Sequence, residues 1–219
     1  MNELGLTREA AEALAGLVPR DAGWDSSQWS LVHEGKPLLV KDIRYSAPLY
    51  RRTAGRLILT HEERLYRRAD GLPFVPKCYG RLDPWSLLFE RVDAVPLTRV
   101  NPRDLPEGFY RQVLSCLEQL HGRGIVHLDL RHMGNILVTP SGRPVLIDFE
   151  SSLFLGRSAF SRKALVPLLS WIDFSGVLKF LLRDFPDQVS EEDLRRYERY
   201  RRLHVLWPFH RIARKIRHR

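Results

Sequence analysis

Cysteine is scarce in this sequence, and a long uninterrupted run of apolar residues is missing. Two cysteines occur among 219 residues, at positions 78 and 116, far apart and without a CxxC pattern. This predicts two buried thiols in a reducing cytosol, with a single bridge between them as the alternative. The most apolar stretch, residues 164–182, contains a proline, an aspartate and a lysine. A carboxylate in mid-membrane costs about 2.5–3.5 kcal/mol, so we predict a buried core helix there and not a membrane span.

The N-terminal residues lack the features of a secretion signal. The stretch MNELGLTREAAEAL is acidic and alanine-rich, whereas a signal peptide has a basic start followed by an apolar run. Together with the scarcity of cysteine, this composition predicts a cytoplasmic protein.

Acidic residues are nearly absent from the end of the chain, which carries the whole net charge. Residues 195–219 contain ten Lys and Arg side chains and one acidic residue, Glu198. The net charge of this segment is therefore +9, the same as the formal net charge of the whole chain. Three interpretations are open: a solvated basic helix, an anionic membrane surface bound with the help of Trp207 and Phe209, or, less favoured, nucleic acid. Membrane binding would place the protein on the inner face of the cell membrane.

Hydrophobic periodicity divides the chain into a strand-rich first part and a helical second part. We predict helices over residues 8–17, 57–69 and 106–121, a β-hairpin over 29–43 and a buried strand over 87–92. Short strands IVHL, NILV and PVLID follow, and the pattern is helical from residue 156 onward. The predicted fold class is therefore α+β.

Residues 124–151, GIVHLDLRHMGNILVTPSGRPVLIDFES, hold the groups most suited to chemistry. Asp129 and Asp148 each follow an apolar strand, and Asn135 lies between them. Carboxylate and amide oxygens are ligands that Mg²⁺ accepts, and a second carboxylate is suited to orient a hydroxyl group that attacks a phosphate. The segment therefore predicts a phosphoryl-transfer site.

This segment resembles the catalytic and metal-binding loops of the protein-kinase-like superfamily, whose pattern is HxDxxxxN, an apolar strand and DFG. The sequence has His127-Leu128-Asp129, then Asn135, then Asp148-Phe149-Glu150. The resemblance implies that Asp129 is the catalytic carboxylate, that Asn135 and Asp148 bind the metal, and that His127 braces the loop. It also implies ATP and Mg²⁺ as cofactors.

The resemblance extends to a lysine and a glutamate earlier in the chain. Lys41 ends the strand LLVK and would contact the α- and β-phosphates of ATP, which makes it part of the catalytic site. Glu62, on the following predicted helix, would hold that lysine, and Glu63 is the alternative partner.

The strand LLFERV resembles the last strand and hinge of the small lobe of these proteins. By that resemblance Phe89 lines the back of the adenine pocket, while backbone groups of Glu90 and Val92 bind the base. The implied architecture is two-lobed, with a small, mainly antiparallel β lobe in residues 1–91 and a short helical lobe with the basic tail in residues 92–219, together forming one catalytic domain.

Four departures from the superfamily pattern stand out. Asp129 and Asn135 are six residues apart where five are usual, so Met133-Gly134 either absorbs one inserted residue or misplaces the amide. Glu150 replaces the usual glycine after Asp-Phe. No GxGxxG precedes Lys41, and Gly23 with the polar residues 25–28 is the candidate for a reduced phosphate-covering loop. No APE-like segment follows Asp148.

Among known groups the chain looks closest to the minimal ones, the RIO-type kinases and the bacterial lipopolysaccharide-core (Kdo/heptose) sugar kinases. A compact chain with a basic, aromatic-bearing tail favours the sugar of an envelope glycolipid as acceptor. The alternatives are a RIO-like protein serine/threonine kinase and a nucleotide-binding pseudokinase that acts as an interaction module.

Overall fold

The computed structural model describes residues 2–15, 21–22, 27–52, 54–156 and 159–205. Its helices are α1 (Arg8–Ala15), α2 (Pro48–Arg52), α3 (Gly55–Ala69), α4 (Phe109–Gly122), α5 (Ala159–Asp184) and α6 (Glu191–Val205). Its strands are β1 (Asp21–Ala22), β2 (Ser27–His33), β3 (Lys36–Asp42), β4 (Cys78–Asp83), β5 (Ser86–Glu90), β6 (Val95–Pro96), β7 (Ile125–Val126), β8 (Ile136–Val138), β9 (Pro144–Leu146) and β10 (Leu153–Phe154).

A five-stranded antiparallel sheet, in the order β1-β2-β3-β5-β4, forms the first lobe. The β2–β3 hairpin turns at Glu34 and Gly35, whose φ angles are 50° and 74°. Two consecutive residues of positive φ match the twist of antiparallel strands. The predicted hairpin is therefore confirmed, with strand β2 beginning two residues earlier than expected.

Alternation along β3 decides which side chains reach the cleft between the lobes. Leu38 and Val40 are buried in the apolar cluster beneath α1. Because successive side chains of a strand point to opposite faces, Leu39 and Lys41 face the other side, where they line a cavity. β3 pairs with β2 and with β5, so Lys41 stands on a strand that is held on both edges.

The second lobe is helical and carries two small sheets. Helix α5 packs against α4 and α6, and the sheets β6-β8-β9 and β7-β10 lie beside this layer. The chain between β7 and β8 and the chain after β9 carry the predicted phosphoryl-transfer residues. The larger apolar core runs through both lobes and includes Leu59 of α3, Phe89 of β5 and Leu117 of α4.

The α+β prediction is confirmed, but several predicted boundaries are wrong. Helix α4 begins at Phe109 and not at residue 106, because Gly108 takes a left-handed φ of 74° directly before it. The strand predicted over residues 87–92 ends at Glu90, where the chain leaves the sheet for the second lobe. The IVHL strand ends at Val126, since the positive φ of Leu128 is not a strand conformation.

Helix α5 contains the one stretch, in the part of the chain that the structure describes, with the length and composition needed to cross a membrane. That stretch is Leu165–Asp184, and 59% of its apolar window is buried inside the protein. Asp173 within it is fully buried and hydrogen-bonded. This burial agrees with the core helix that the sequence predicts.

Candidate active site

Lys41 and Glu62 form a buried ion pair at the top of the cleft. Lys41 Nζ donates to Glu62 Oε1 at 3.0 Å, and both residues are almost completely buried. Glu62 lies on the face of α3 that also buries Leu59 and Leu65, because residues three and four apart share one side of a helix.

The alternative partner of Lys41, Glu63, faces away from the cleft. Its carboxylate accepts hydrogen bonds from Arg67 and Arg81, each at 2.8 Å. One step along a helix turns a side chain by about 100°, so the two neighbouring glutamates point to different surroundings. Of the two candidates, the structure brings Glu62 to Lys41.

Two further carboxylates surround the same ammonium group. Lys41 Nζ is 3.3 Å from Asp148 Oδ1 and 2.7 Å from Glu150 Oε1. The contact with Glu150 is not part of the sequence prediction, which treated that residue as a departure from the usual glycine. Three carboxylates around one ammonium leave the cleft with excess negative charge, which favours the binding of a further cation.

The pKa values of the buried pair reflect these neighbours. Burial alone lowers the pKa of Lys41, but the charges of Glu62, Asp148 and Glu150 outweigh burial and hold that pKa well above its usual value. Burial also raises the pKa of Glu62 to about 7, against the opposing charge of Lys41. Lys41 is therefore positively charged over the whole physiological pH range.

Asp129 and Asn135, the predicted catalytic-loop residues, are in direct contact despite the inserted residue. A short 3₁₀ turn, Met133–Asn135, takes up the extra length. Asn135 Nδ2 then donates to the carboxylate and to the backbone carbonyl of Asp129, both at 3.1 Å. The insertion is thus absorbed and the amide is directed at the carboxylate.

This contact determines which atom of Asn135 remains for a metal. Both partners of the amide nitrogen are acceptors, so the nitrogen must face them and the carboxamide oxygen is left for another ligand. Asn135 and Asp148 line the same cavity, and the Asp148 side chain is 41% exposed. Two protein oxygens plus substrate phosphates are a usual ligand set for Mg²⁺, so these residues fit that ion.

In the described part of the chain, His, Cys, Asp and Glu side chains alone do not form a complete metal site. Among the residues that the structure describes, no group of three or more His, Cys, Asp or Glu side chains is arranged to hold a metal ion.

Asp148 is held in an uncommon backbone conformation. Its φ is 65°, a left-handed value that an aspartate tolerates better than most residues. Its backbone N–H donates to the Tyr66 hydroxyl at 3.1 Å, and the Tyr66 ring packs against Phe149. A residue of α3, the helix of Glu62, therefore helps to hold the turn that carries Asp148.

A buried aspartate of α5 braces the loop that begins at His127. Asp173 accepts hydrogen bonds from the backbone N–H groups of His127 at 2.8 Å and Leu128 at 2.7 Å, and it lies 2.9 Å from His121 Nε2. These bonds hold Leu128 at its left-handed φ of 66°, which is strained for such a residue. Asp173 is thus a positioning residue, and it holds the backbone next to Asp129.

Replacing Asp173 by alanine is expected to lower the free energy of unfolding by about 3 kcal/mol or more. The change leaves two buried backbone donors and one imidazole without their acceptor, and each such group costs about 1–3 kcal/mol. Urea denaturation of the variant and of the exposed control Asp187→Ala measures the effect. A loss below 1 kcal/mol for Asp173→Ala would contradict the proposed brace.

The remaining predicted residues line one cavity of about 370 Å³ between the lobes. Phe89, Glu90 and Val92 all line it, and the chain leaves the sheet at Glu90. The backbone N–H of Glu90 donates to the Lys77 carbonyl at 2.8 Å and is already engaged. Gly23 and residues 25–26 of the proposed phosphate-covering loop lie outside the described residues, while Gln28 lines the cavity.

Sequence comparison finds partial similarity to protein kinases. No protein-family model matches the chain. A probable serine/threonine-protein kinase of Dictyostelium discoideum and serine/threonine-protein kinase STK11 of Rattus norvegicus are each 43% identical over 53 residues. NUAK family SNF1-like kinase 2 of Rattus norvegicus is 32% identical over 104 residues, or 48% of this chain. The matches cover 11%, 12% and 15% of these relatives, so the chain corresponds to a small part of each.

Comparison with solved structures covers most of the chain. The Rio2 kinase of Chaetomium thermophilum in an ADP/Mg²⁺-phosphoaspartate complex has a TM-score of 0.59 and 20% sequence identity, and the match covers 85% of this chain and 64% of that one. A second structure of that kinase gives the same TM-score over 84% and 62%. A match this long has to include both the sheet and the helical part. The protein therefore has the protein-kinase-like fold that its loop motifs resemble.

Proposed function

We propose that this protein is an ATP- and Mg²⁺-dependent kinase that transfers the γ-phosphoryl group to a hydroxyl group of a protein. The observation that carries the proposal is the position of Lys41, whose ammonium lies 3.0 Å from Glu62 and 3.3 Å from Asp148. This arrangement puts a buried positive charge in the wall of the cavity that the candidate metal ligands Asn135 and Asp148 also line, as phosphoryl transfer requires.

The nucleotide would occupy the cavity between the lobes. With the Glu90 N–H engaged by Lys77, the adenine base would use the carbonyl of Glu90 and the N–H of Val92. The phosphates would extend toward Lys41, and Asn135 and Asp148 would hold Mg²⁺ against them. When bound, Mg²⁺ neutralises charge on the phosphate oxygens.

Asp129 is placed to act on the acceptor. Its carboxylate accepts from Asn135 at 3.1 Å, which fixes its orientation while other lone pairs stay available. The acceptor oxygen forms a bond to the γ-phosphorus as the bond from phosphorus to the β–γ bridging oxygen breaks, and the hydroxyl proton passes to Asp129. Lys41 stabilises the negative charge on the departing ADP.

A protein hydroxyl is the acceptor that the comparisons favour. The curated relatives are named as serine/threonine-protein kinases, and the solved structures are of Rio2 kinase. The sugar of an envelope glycolipid is favoured by the compactness of the chain and by the basic residues 195–219, of which residues 206–219 lie outside the described part of the chain. Three predictions are not tested by the structure or the comparisons. They are the cytoplasmic location, the binding of a membrane or nucleic acid by this tail, and the division of the chain at residue 91.

A pseudokinase is the second candidate, and Glu150 is the observation that favours it. Its carboxylate lies 2.7 Å from Lys41, where it competes with a phosphate for the same ammonium. If Glu150 stayed paired with Lys41, the protein would bind nucleotide weakly and would act by binding a partner at its surface.

Labelled ATP separates these functions. We expect the full-length protein, incubated with [γ-³²P]ATP, Mg²⁺ and separate protein and lipid fractions of a cell extract, to label serine or threonine of protein. Label in the lipid fraction would instead support the glycolipid sugar. Mg²⁺-dependent ATP binding without label in either fraction would support the pseudokinase, and no ATP binding would contradict all three functions.

A further inference from the structure

A second cavity opens on the first lobe, apart from the nucleotide cleft. It measures about 460 Å³ and is lined by Arg44, Arg51, Arg56 and Trp85. Of the residues that the structure describes, none lines both this cavity and the interlobe one. Three guanidinium groups around one indole make this cavity strongly basic, although the first 194 residues have no net charge.

The arginines of this cavity are only partly neutralised. Arg44 pairs with Asp83 at 2.5 Å, but Asp83 also pairs with Arg8 at 2.8 Å. The Arg51 guanidinium donates to the backbone carbonyl of Arg44, which carries no net charge. Within the described ranges, no carboxylate forms an ion pair with Arg51 or Arg56. Two full positive charges therefore remain at this cavity.

The indole of Trp85 holds two of the guanidinium groups in place. The guanidinium carbons of Arg44 and Arg56 lie 5.8 Å and 5.6 Å from the indole ring centroid, which is within the range of cation–π attraction. The backbone N–H of Trp85 donates to Asp83 at 2.7 Å, and its side chain is partly buried against the larger apolar core. The arginine side chains are thus partly ordered before any ligand binds. This lowers the entropy cost of binding and so favours a higher affinity for the ligand.

From these features we infer that the cavity is a binding site for a phosphate group, either free phosphate or a phosphate monoester. A phosphate dianion matches the two uncompensated charges, and guanidinium forks bind its oxygens in pairs. The binding groups are Arg51 and Arg56, with Arg44 completing the wall. The site is independent of the proposed kinase activity, because none of these residues belongs to the nucleotide cleft.

The site lies on the helix that also carries Glu62. Arg56 is in the first turn of α3, and that turn contains no acidic residue. The N-cap residue, Ala54, provides no side-chain hydrogen bond to the N–H groups of this turn. Glu62 follows six residues later, about 9 Å along the helix axis at 1.5 Å per residue. A phosphate group bound at Arg56 would therefore contact the same rigid element that holds Glu62 against Lys41.

Titration with inorganic phosphate, followed by NMR of the Trp85 indole N–H, tests this inference. The signal is assigned with Trp85→Phe, and ionic strength is held constant with NaCl. We expect saturable shifts that weaken about tenfold or more in Arg56→Gln and in Arg51→Gln. The exposed control Arg103→Gln and the cleft variant Lys41→Met should bind phosphate at the Trp85 site as the unchanged protein does.

A second arm replaces phosphate by a short phosphoserine peptide. Tighter binding of the peptide than of phosphate would identify a phosphorylated protein as the source of the group, and equal binding would identify free phosphate. The inference is overturned if the Trp85 signal does not move. It is also overturned if the shift is the same with NaCl alone, or if it persists unchanged in both arginine variants.

Discussion

Replacing Asp129 by asparagine is expected to lower kcat by about 10²–10⁴-fold while the affinity for Mg·ATP stays within about threefold. The loss is the usual contribution of a positioned proton acceptor. Asparagine has the shape of aspartate and an oxygen that still accepts from Asn135, whose amide lies 3.1 Å away. The loop therefore keeps its geometry and loses the basic oxygen alone.

The exposed Asp104→Asn is the matched control, because it removes one carboxylate of the same lobe that does not line the cavity. It should leave both kcat and ATP affinity unchanged. Turnover is measured with labelled ATP, and affinity is measured by calorimetry. Wild-type turnover in Asp129→Asn would show that this carboxylate takes no part in the transfer.

Lys41→Met is expected to weaken ATP binding about 10–100-fold and to lower the free energy of unfolding by about 3 kcal/mol at pH 8. The first effect follows from losing a charged hydrogen bond to phosphate, worth about 1.5–3 kcal/mol. The second follows because removing one partner of a buried ion pair leaves the other charge uncompensated, at a cost of about 3–5 kcal/mol. Calorimetry and urea denaturation measure the two effects.

The stability deficit of Lys41→Met should depend on pH. The pKa of Glu62 is already raised to about 7 by burial, and it rises further once the ammonium is gone. A carboxyl group whose pKa is raised in the folded state stabilises the fold most below its unfolded pKa, and this contribution is lost as pH rises through the folded value. The deficit should therefore be small near pH 5 and full near pH 8.

Lys77 provides the matched control for this variant. It also pairs with a glutamate, Glu3, at 2.9 Å, but both side chains are exposed. Exposed pairs contribute little to stability, so Lys77→Met should change neither stability nor ATP affinity appreciably. Equal losses in the two lysine variants, or a deficit that does not change with pH, would contradict the role given to the buried pair.

Local sequence patterns predicted most of the elements that surround the cleft. The β2–β3 hairpin and α3 were predictable because their apolar residues follow periods of 2 and 3.6. The short strand β4 was not, since Gly80 and the nearby Pro76 read as loop residues. Its strand conformation comes from pairing with β5, a long-range contact that sequence periodicity does not report.

The site was predictable as a set of residues but not in its contacts. The resemblance named Glu62 as the partner of Lys41 with Glu63 as the alternative, and the structure brings Glu62 to Lys41. Whether the inserted loop residue displaced Asn135 depended on a 3₁₀ turn, which the sequence did not specify. The approach of Glu150 to Lys41 had one sequence signal, an acidic residue where glycine is usual.

The arginine-lined cavity could not be predicted from the sequence. Arg44, Arg51, Arg56 and Trp85 come from two loops and two helices. In the sequence they look like ordinary solvated residues, because no periodic pattern connects them. The packing of α2 and α3 beside the β4–β5 turn brings them together.

The dependence of ATP affinity on Mg²⁺ tests the central claim most directly, that Asn135 and Asp148 hold a divalent ion opposite Lys41. Calorimetric titration of the full-length protein with ATP, with Mg²⁺ and with EDTA, should show at least tenfold tighter binding with Mg²⁺. Asp148→Asn should lose most of this difference. An ATP affinity that is the same with and without Mg²⁺, or no ATP binding at all, would contradict the claim.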